Sequence, residues 1–233
     1  MKNKKPNLSK QSIETVTSKQ SKQMTTSKGN QLKFLKNSFW YKIDNLGYEG
    51  AAEFIASEIL KLSNISNFVE YHLCEIKYHE RTFHGCKSKD FLKDRRDTQI
   101  ISVARLHEKF SSTDLDTALK KKSTRDQIDY LVNFVTDITG LQNFGVYLTK
   151  ILELDTLILN DDRHFNNICI LENGGFFSLC PVFDNGGAFL SDTKYDYPLE
   201  KNSYGLIHDV KAKPFSTDFD AQLQACHALY GSH

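Results

Sequence analysis

Apolar and polar positions change their period several times along this chain. Residues 1–28 hold only scattered apolar members, Leu8, Ile13, Val16 and Met24, among Lys, Ser, Thr, Gln and Asn. Such a stretch cannot offset its ordering entropy by burial, so it reads as a disordered tail rich in modifiable hydroxyls. From Gly29 the pattern tightens. Residues 32–35 and 39–43 are short apolar and aromatic runs parted by Lys36-Asn37-Ser38, which predicts a β-hairpin. Over 47–62 the period lengthens. Tyr48, Ala52, Ile55, Ile59 and Leu62 recur every three to four residues, as on an amphipathic helix. Residues 68–76 and 81–86 read as two more strands, giving β-β-α-β-β for the first ordered stretch.

Beyond residue 97 the pattern turns mostly helical. Ser112-Thr113-Asp114 opens a helix to about 121, and Ser123/Thr124 caps a second that Gly140 ends. Residues 144–160 form a third helix, so apolar that most of its surface must be buried. A strand over 168–171, the turn signal Asn173-Gly174-Gly175 and a return strand over 176–180 predict a second hairpin. Residues 191–213 read as a polar loop and 217–230 as a last helix.

Composition narrows the classes. The 233 residues suit one large domain or two lobes, and 39% hydrophobic content is enough for a core. Thirty basic and 29 acidic residues leave a net charge of +1, so no global pull toward nucleic acid or anionic lipid is expected. The charge runs Lys93-Asp94-Arg95-Arg96, Lys120-Lys121-Lys122 and Lys211-Ala212-Lys213 read as solvated faces. No apolar run reaches membrane-spanning length, and no apolar stretch follows the basic N-terminus as in a secretory signal. Five cysteines without a CxxC pair read as reduced core filler. The expected compartment is the cytoplasm, with non-classical secretion left open.

Chemistry concentrates in residues 160–187. The run Asn160-Asp161-Asp162-Arg163-His164-Phe165-Asn166-Asn167 interrupts two of the most apolar stretches in the chain. Polar groups beside buried elements are costly unless paired, and this density of side-chain oxygens suits a hard cation such as Mg²⁺ held together with phosphate oxygens. The hairpin turn at 173–174 folds the strand after Asn167 back toward Asp184, so the two side chains approach one site. Two registers satisfy a D-x-x-x-x-N spacing, Asp162/Asn167 and Asp161/Asn166. The first is preferred because Asn167 abuts the strand. A metallo-phosphoesterase cluster of Asp161, Asp162, His164 and Asp184 is the weaker reading, since no second His-Asp pair is evident.

These motifs, with Pro181-Val182-Phe183-Asp184-Asn185-Gly186, resemble the HipA-like serine/threonine kinases, most closely their small CtkA-type members. Phosphatidylinositol kinases carry a similar D-R-H-x-x-N core. The resemblance spans roughly residues 27–220. It implies an α+β, bilobal, protein-kinase-like fold: a small β-rich N-lobe over 29–90 and a mostly helical C-lobe over 91–233. It implies Asp162 as the base or orienting group for the acceptor hydroxyl, and Asn167 and Asp184 as Mg²⁺ holders. Lys42 would reach the α/β-phosphates of ATP and pair with Glu53, although Glu49 lies one turn away on the same helix face. Ser27, Lys28, Gly29 and Asn30 resemble a phosphate-covering loop. Cys86, Lys87 and Ser88 fall where the adenine-binding connector should lie. Arg163 and His164 would brace the loop.

The implied activity is ATP- and Mg²⁺-dependent transfer to Ser/Thr of a protein acceptor, with autophosphorylation at Thr25, Thr26 or Ser27. The implied partners are a protein substrate and an antitoxin-type regulator. Alternatives are a lipid or small-molecule kinase on the same fold, or a non-catalytic nucleotide- or partner-binding module. Relatives continue past the Lys213-Pro214-Phe215 segment, so the resemblance also implies a shortened or truncated C-terminus with apolar C-lobe surface left exposed.

Overall fold

The computed structural model describes residues 31–95 and 97–233, together with two short strands at 13–15 and 22–24. Its first unit is built on a sheet. Strands β1 (Ile13–Thr15), β2 (Lys22–Met24), β3 (Lys33–Lys36), β4 (Phe39–Ile43), β5 (Tyr71–Tyr78) and β6 (Arg81–Lys89) lie in the order β1-β5-β6-β4-β3-β2. All neighbours are antiparallel except β1 and β5. The β3–β4 turn places Asn37 and Ser38 at positive φ, which matches the right-handed twist of a two-residue hairpin. The sheet's core is Phe34, Tyr41, Ile43, Cys74 and Ile76. Of the 1–28 tail, only β1 and β2 are described. They stand at the two sheet edges, where the polar composition predicted no strand.

Helix α1 (Glu49–Leu60) lies between β4 and β5 in sequence and packs on both β5 and β6. Its buried face differs from the hydrophobic periodicity. Ala52, Ala56 and Leu60 are buried together with Glu49, Glu53 and Ser57, while Ile55 is exposed and Leu62, past the helix end, is 91% exposed. Two carboxylates occupy positions an apolar count assigns to solvent, and the site below explains why.

The second unit is helical around a small sheet. Strand β7 (Thr98–Ser102) pairs with β8 (Cys169–Asn173), which pairs with β9 (Phe176–Leu179). Gly174 and Gly175 both have positive φ and form the tight β8–β9 turn. Ser102 ends β7 and caps α2 (Val103–Phe110), its Oγ accepting from the Arg105 amide. Then come α3 (Leu115–Leu119, capped by Asp114), α4 (Thr124–Thr139, capped by Ser123 and ended by left-handed Gly140) and α5 (Phe144–Ile158). Helix α6 (Ser203–Asp209) lies within the stretch read as a loop, and α7 (Phe219–Tyr230) closes against α4 and α5. The β7 strand and α6 were not legible as such. β7 gains its partner from β8, some 70 residues on, and α6 is only seven residues long.

The largest core joins α2, α4, α5 and β8 to Ala52, Ala56 and Leu60 of α1, so α1 is packed between the units. A short parallel bridge also joins them. The Val69 amide donates to the Val182 carbonyl and the Val182 amide to the Asn67 carbonyl, both at 2.9 Å. All five cysteines are buried and unbridged, in keeping with core filling. Burial pushes the thiols of Cys169 and Cys226 up to about 12 and about 11. Among the described residues, no helix is long and apolar enough to cross a membrane.

Candidate active site between the two lobes

Strand β4 ends in Tyr41-Lys42-Ile43, whose side chains alternate across the sheet. Lys42 points to the cleft, packs 5.1 Å from the Tyr71 ring centroid and pairs with two carboxylates. One is Glu53 from α1. The other is Asp184, at 2.7 Å. The Glu49/Glu53 ambiguity is settled by neighbours. Glu49 accepts from the backbone amides of Asn45, Leu46 and Gly47 and so holds the entry to α1. Glu53 faces the lysine, and its other oxygen accepts from the Asn185 amide at 2.8 Å.

Sequence reasoning missed Lys33. It sits directly opposite Lys42 in the β3–β4 register, and its Nζ lies 3.6 Å from Asp184 Oδ1. No local motif marks it; only the cross-strand register brings it to the cleft. Burial, and then the Lys42 charge, lower its pKa from the ordinary lysine value, against the opposing pull of Asp184 and Glu53. Burial alone would lower Lys42 too, but Asp184 and Glu53 outweigh it and hold its ammonium firmly charged. Burial would likewise raise Asp184. Lys42, Lys33 and Arg163 override that and keep this carboxyl well below the usual carboxylate range.

The loop after α5 is held by Arg163, which is only 1% exposed. Its Nε and Nη2 donate to both oxygens of the buried Asp155, at 2.9 and 3.0 Å. Nη2 also donates to Asn185 Oδ1 at 2.6 Å, and Nη1 to the carbonyls of Phe183 (3.1 Å) and Asn167 (3.5 Å). One guanidinium therefore fixes the 160–167 loop against the 183–185 segment. This is the bracing expected of it. Asp155 was legible only as a polar interruption of an apolar helix.

The two D-x-x-x-x-N registers separate cleanly. Asp161 accepts the Tyr197 hydroxyl at 2.5 Å and its amide donates to the Gly187 carbonyl, while Asn166 is exposed and its Oδ1 faces the Ser102 hydroxyl. Asp162 and Asn167 belong together: Asn167 Nδ2 donates to the Asp162 carbonyl at 3.1 Å, which turns the amide oxygen of Asn167 the other way. Asp162 lies against the 184–187 segment so closely that a Cβ at Gly187 would sit 2.6 Å from its Cβ. Asp184 itself adopts a left-handed backbone, φ 62°, which an aspartate tolerates at a small cost and which the surrounding contacts enforce. His164 lines a cavity of about 320 Å³ beside the loop, with Phe165, Asn166, Glu108 and Pro214.

The oxygen donors fit a hard cation. One carboxylate and one amide oxygen are the small protein share that Mg²⁺ takes when substrate phosphates complete its shell. Among the described residues no cluster of three or more His, Cys, Asp or Glu forms a metal site, so a site closed by protein ligands alone is not what this donor set builds.

Two expectations shift. Cys86, Lys87 and Ser88 do not follow a strand; they are inside β6, paired with β4 on one side and, at these positions, with β5 on the other. Their backbone groups belong to the ladder, and the inter-lobe connector begins after Lys89. Ser27, Lys28, Gly29 and Asn30, with Thr25 and Thr26, lie outside the described residues.

Together these features are those of a kinase-like fold: a β-rich lobe with one helix, a helical lobe and a cleft between them that gathers a lysine–glutamate pair and an aspartate. One solved structure supports that fold. The chain is similar to the Helicobacter pylori proinflammatory kinase CtkA, with a TM-score of 0.60, 17% identity, and coverage of 87% of this chain and 70% of that one. HipA of the Shewanella oneidensis MR-1 toxin–antitoxin system, solved with HipB and operator DNA, matches at TM-score 0.42 and 12% identity, over 89% of this chain and 63% of HipA. No family model and no curated protein sequence matches.

Proposed function

We infer that this protein is an ATP- and Mg²⁺-dependent phosphotransferase acting on a Ser/Thr hydroxyl of a protein acceptor. The observation that carries the reading is the meeting of Lys42 with Glu53 and Asp184, beside a loop in which one arginine ties Asn167 to the 183–185 segment. Phosphoryl transfer asks a protein for positioning and charge neutralisation more than for covalent chemistry, and these residues supply both. Lys42, oriented by Glu53, holds nucleotide phosphate oxygens. Asp162 aligns the acceptor hydroxyl and takes its proton. Asp184 and the amide oxygen of Asn167 would hold Mg²⁺, which when bound neutralises charge on the transferring group. The connector after Lys89 is the place for the adenine, in keeping with Phe91 packed near Phe183 at 6.0 Å between ring centroids.

The test is transfer of labelled phosphate from ATP to a generic protein acceptor and to the chain itself, with wild type and Asp184→Ala. Loss of the metal-holding carboxylate is expected to lower the rate on the order of 10³-fold or more. Equal incorporation by the two proteins overturns the assignment, and transfer only to presented lipid would move the acceptor class.

A further inference from the structure

Two lysines stand side by side where the proposed reaction, on which this inference rests, employs one. Lys33 and Lys42 are directly opposed across β3 and β4, so both side chains leave the same face of the sheet. Like charges so placed repel and would destabilise a sheet that had no use for them. Here the pair is tolerated because Glu53 and Asp184 answer it, giving two cations against two carboxylates. The two lysines differ in how they are held. Lys42 is locked between both carboxylates, with Tyr71 packed over it. Among the described residues, Lys33 forms one ion pair, with Asp184 at 3.6 Å, through a side chain that is 15% exposed. A cation entering at Asp184 would repel that ammonium and take over its partner. The displaced ammonium would stay beside Lys42 on the same sheet face, where the proposed reaction puts the nucleotide's phosphates.

We propose that Lys33 is an exchangeable second phosphate clamp: it neutralises Asp184 while the cleft is empty and transfers to a nucleotide phosphate oxygen when the metal claims Asp184. This role predicts two effects of opposite sign from one substitution. In Lys33→Met, Mg·ATP and Mg·ADP bind about tenfold or more weakly, while AMP, which lacks the outer phosphates, binds as in wild type. Free Mn²⁺, measured by electron paramagnetic resonance without nucleotide, binds severalfold more tightly, because the more weakly held of the two ammonium groups competing for Asp184 is gone. Lys33→Arg keeps the charge and restores most of the Mg·ATP affinity.

Unchanged AMP affinity within the same variant guards against a merely damaged fold. Wild type that binds Mg·ATP and Lys33→Met that binds it equally well overturn this inference alone. Loss of AMP and ATP affinity in parallel, or weaker Mn²⁺ binding in the variant, also overturns it, since those are the marks of a structural lysine. Wild type that binds no nucleotide overturns the proposed function and this inference with it.

Discussion

Replacing Arg163 by methionine is the sharpest structural test of the site. The guanidinium is 1% exposed and Asp155 is fully buried, so the substitution strands a carboxylate in a region that water does not reach. Removing one partner of such a buried pair typically costs about 3–5 kcal/mol, because the remaining charge loses its compensation. Asn160 Nδ2 still donates to Asp155 at 2.8 Å, which places the expected loss toward the lower end of that range. For a chain of this length each kcal/mol shifts the midpoint by roughly 2–4 °C, so a fall of about 6–12 °C is expected in thermal unfolding followed by circular dichroism. The double variant Arg163→Met/Asp155→Leu removes both charges and should recover much of the stability, since a well-packed apolar pair often replaces a buried ion pair at little cost. Phosphoryl transfer should not recover with it. Asn185 and the carbonyls of Phe183 and Asn167 would still lack the donor that aligns the 160–167 loop with the 183–185 segment. A loss below about 1 kcal/mol in the single variant, or full transfer activity in the double variant, would refute the view that one side chain both neutralises Asp155 and sets the cleft.

Two further outcomes are open to measurement. Gly187→Ala introduces a Cβ 2.6 Å from that of Asp162, so the loop carrying Asp162 must shift; transfer should fall on the order of 10²-fold with nucleotide affinity largely kept, and an unaffected rate would show that the close approach is unimportant. Asp44, at the end of β4, has its carboxyl pushed up to about 6 by burial, with Glu49 adding to the rise against the Gly50 amide and His84. Because the folded chain holds that proton more tightly than the unfolded one, stability from this group is fully present below about pH 4 and declines as pH rises through 6. Asp44→Asn keeps an acceptor for the Gly50 amide, and should therefore melt higher than wild type at pH 7.5 with the gap closing near pH 4; a gap constant with pH would contradict the assignment.

Much of the site was legible because its signals are contiguous. The spacing from Asp162 to Asn167, the turn at Asn173-Gly174-Gly175 and the capping residues Ser123 and Gly140 are local features, set by neighbours in sequence. What sequence left open depends on contacts between distant segments. Glu53 and Glu49 share a helix face, and only the 45–47 backbone, which engages Glu49, tells them apart. Lys33 is one of 30 basic residues until the β3–β4 register sets it beside Lys42. The buried face of α1 was misread because hydrophobic periodicity assumes that buried means apolar, and this helix turns a carboxylate inward to serve the lysine. Cys86–Ser88 were expected beyond a strand end because the last apolar residue of that run is Cys86, whereas pairing with β4 carries β6 on to Lys89.

The bridge between residues 67–69 and Val182 fastens the sheet lobe to the helical lobe close to where Phe91, in the connector, meets Phe183. A second fastening holds the start of α1, where the Tyr48 amide donates to the Ser191 carbonyl at 3.2 Å and the Lys194 amide to the Leu46 carbonyl at 3.0 Å. Strands β3 and β2 lie on the other side of β6 and β4 from the first fastening. A lobe pinned at two separate places resists turning as one body, so the freedom left to the cleft should lie in the flexing of β3 and the Lys33 it carries, while the contact between Glu53 and the Asn185 amide stays almost still.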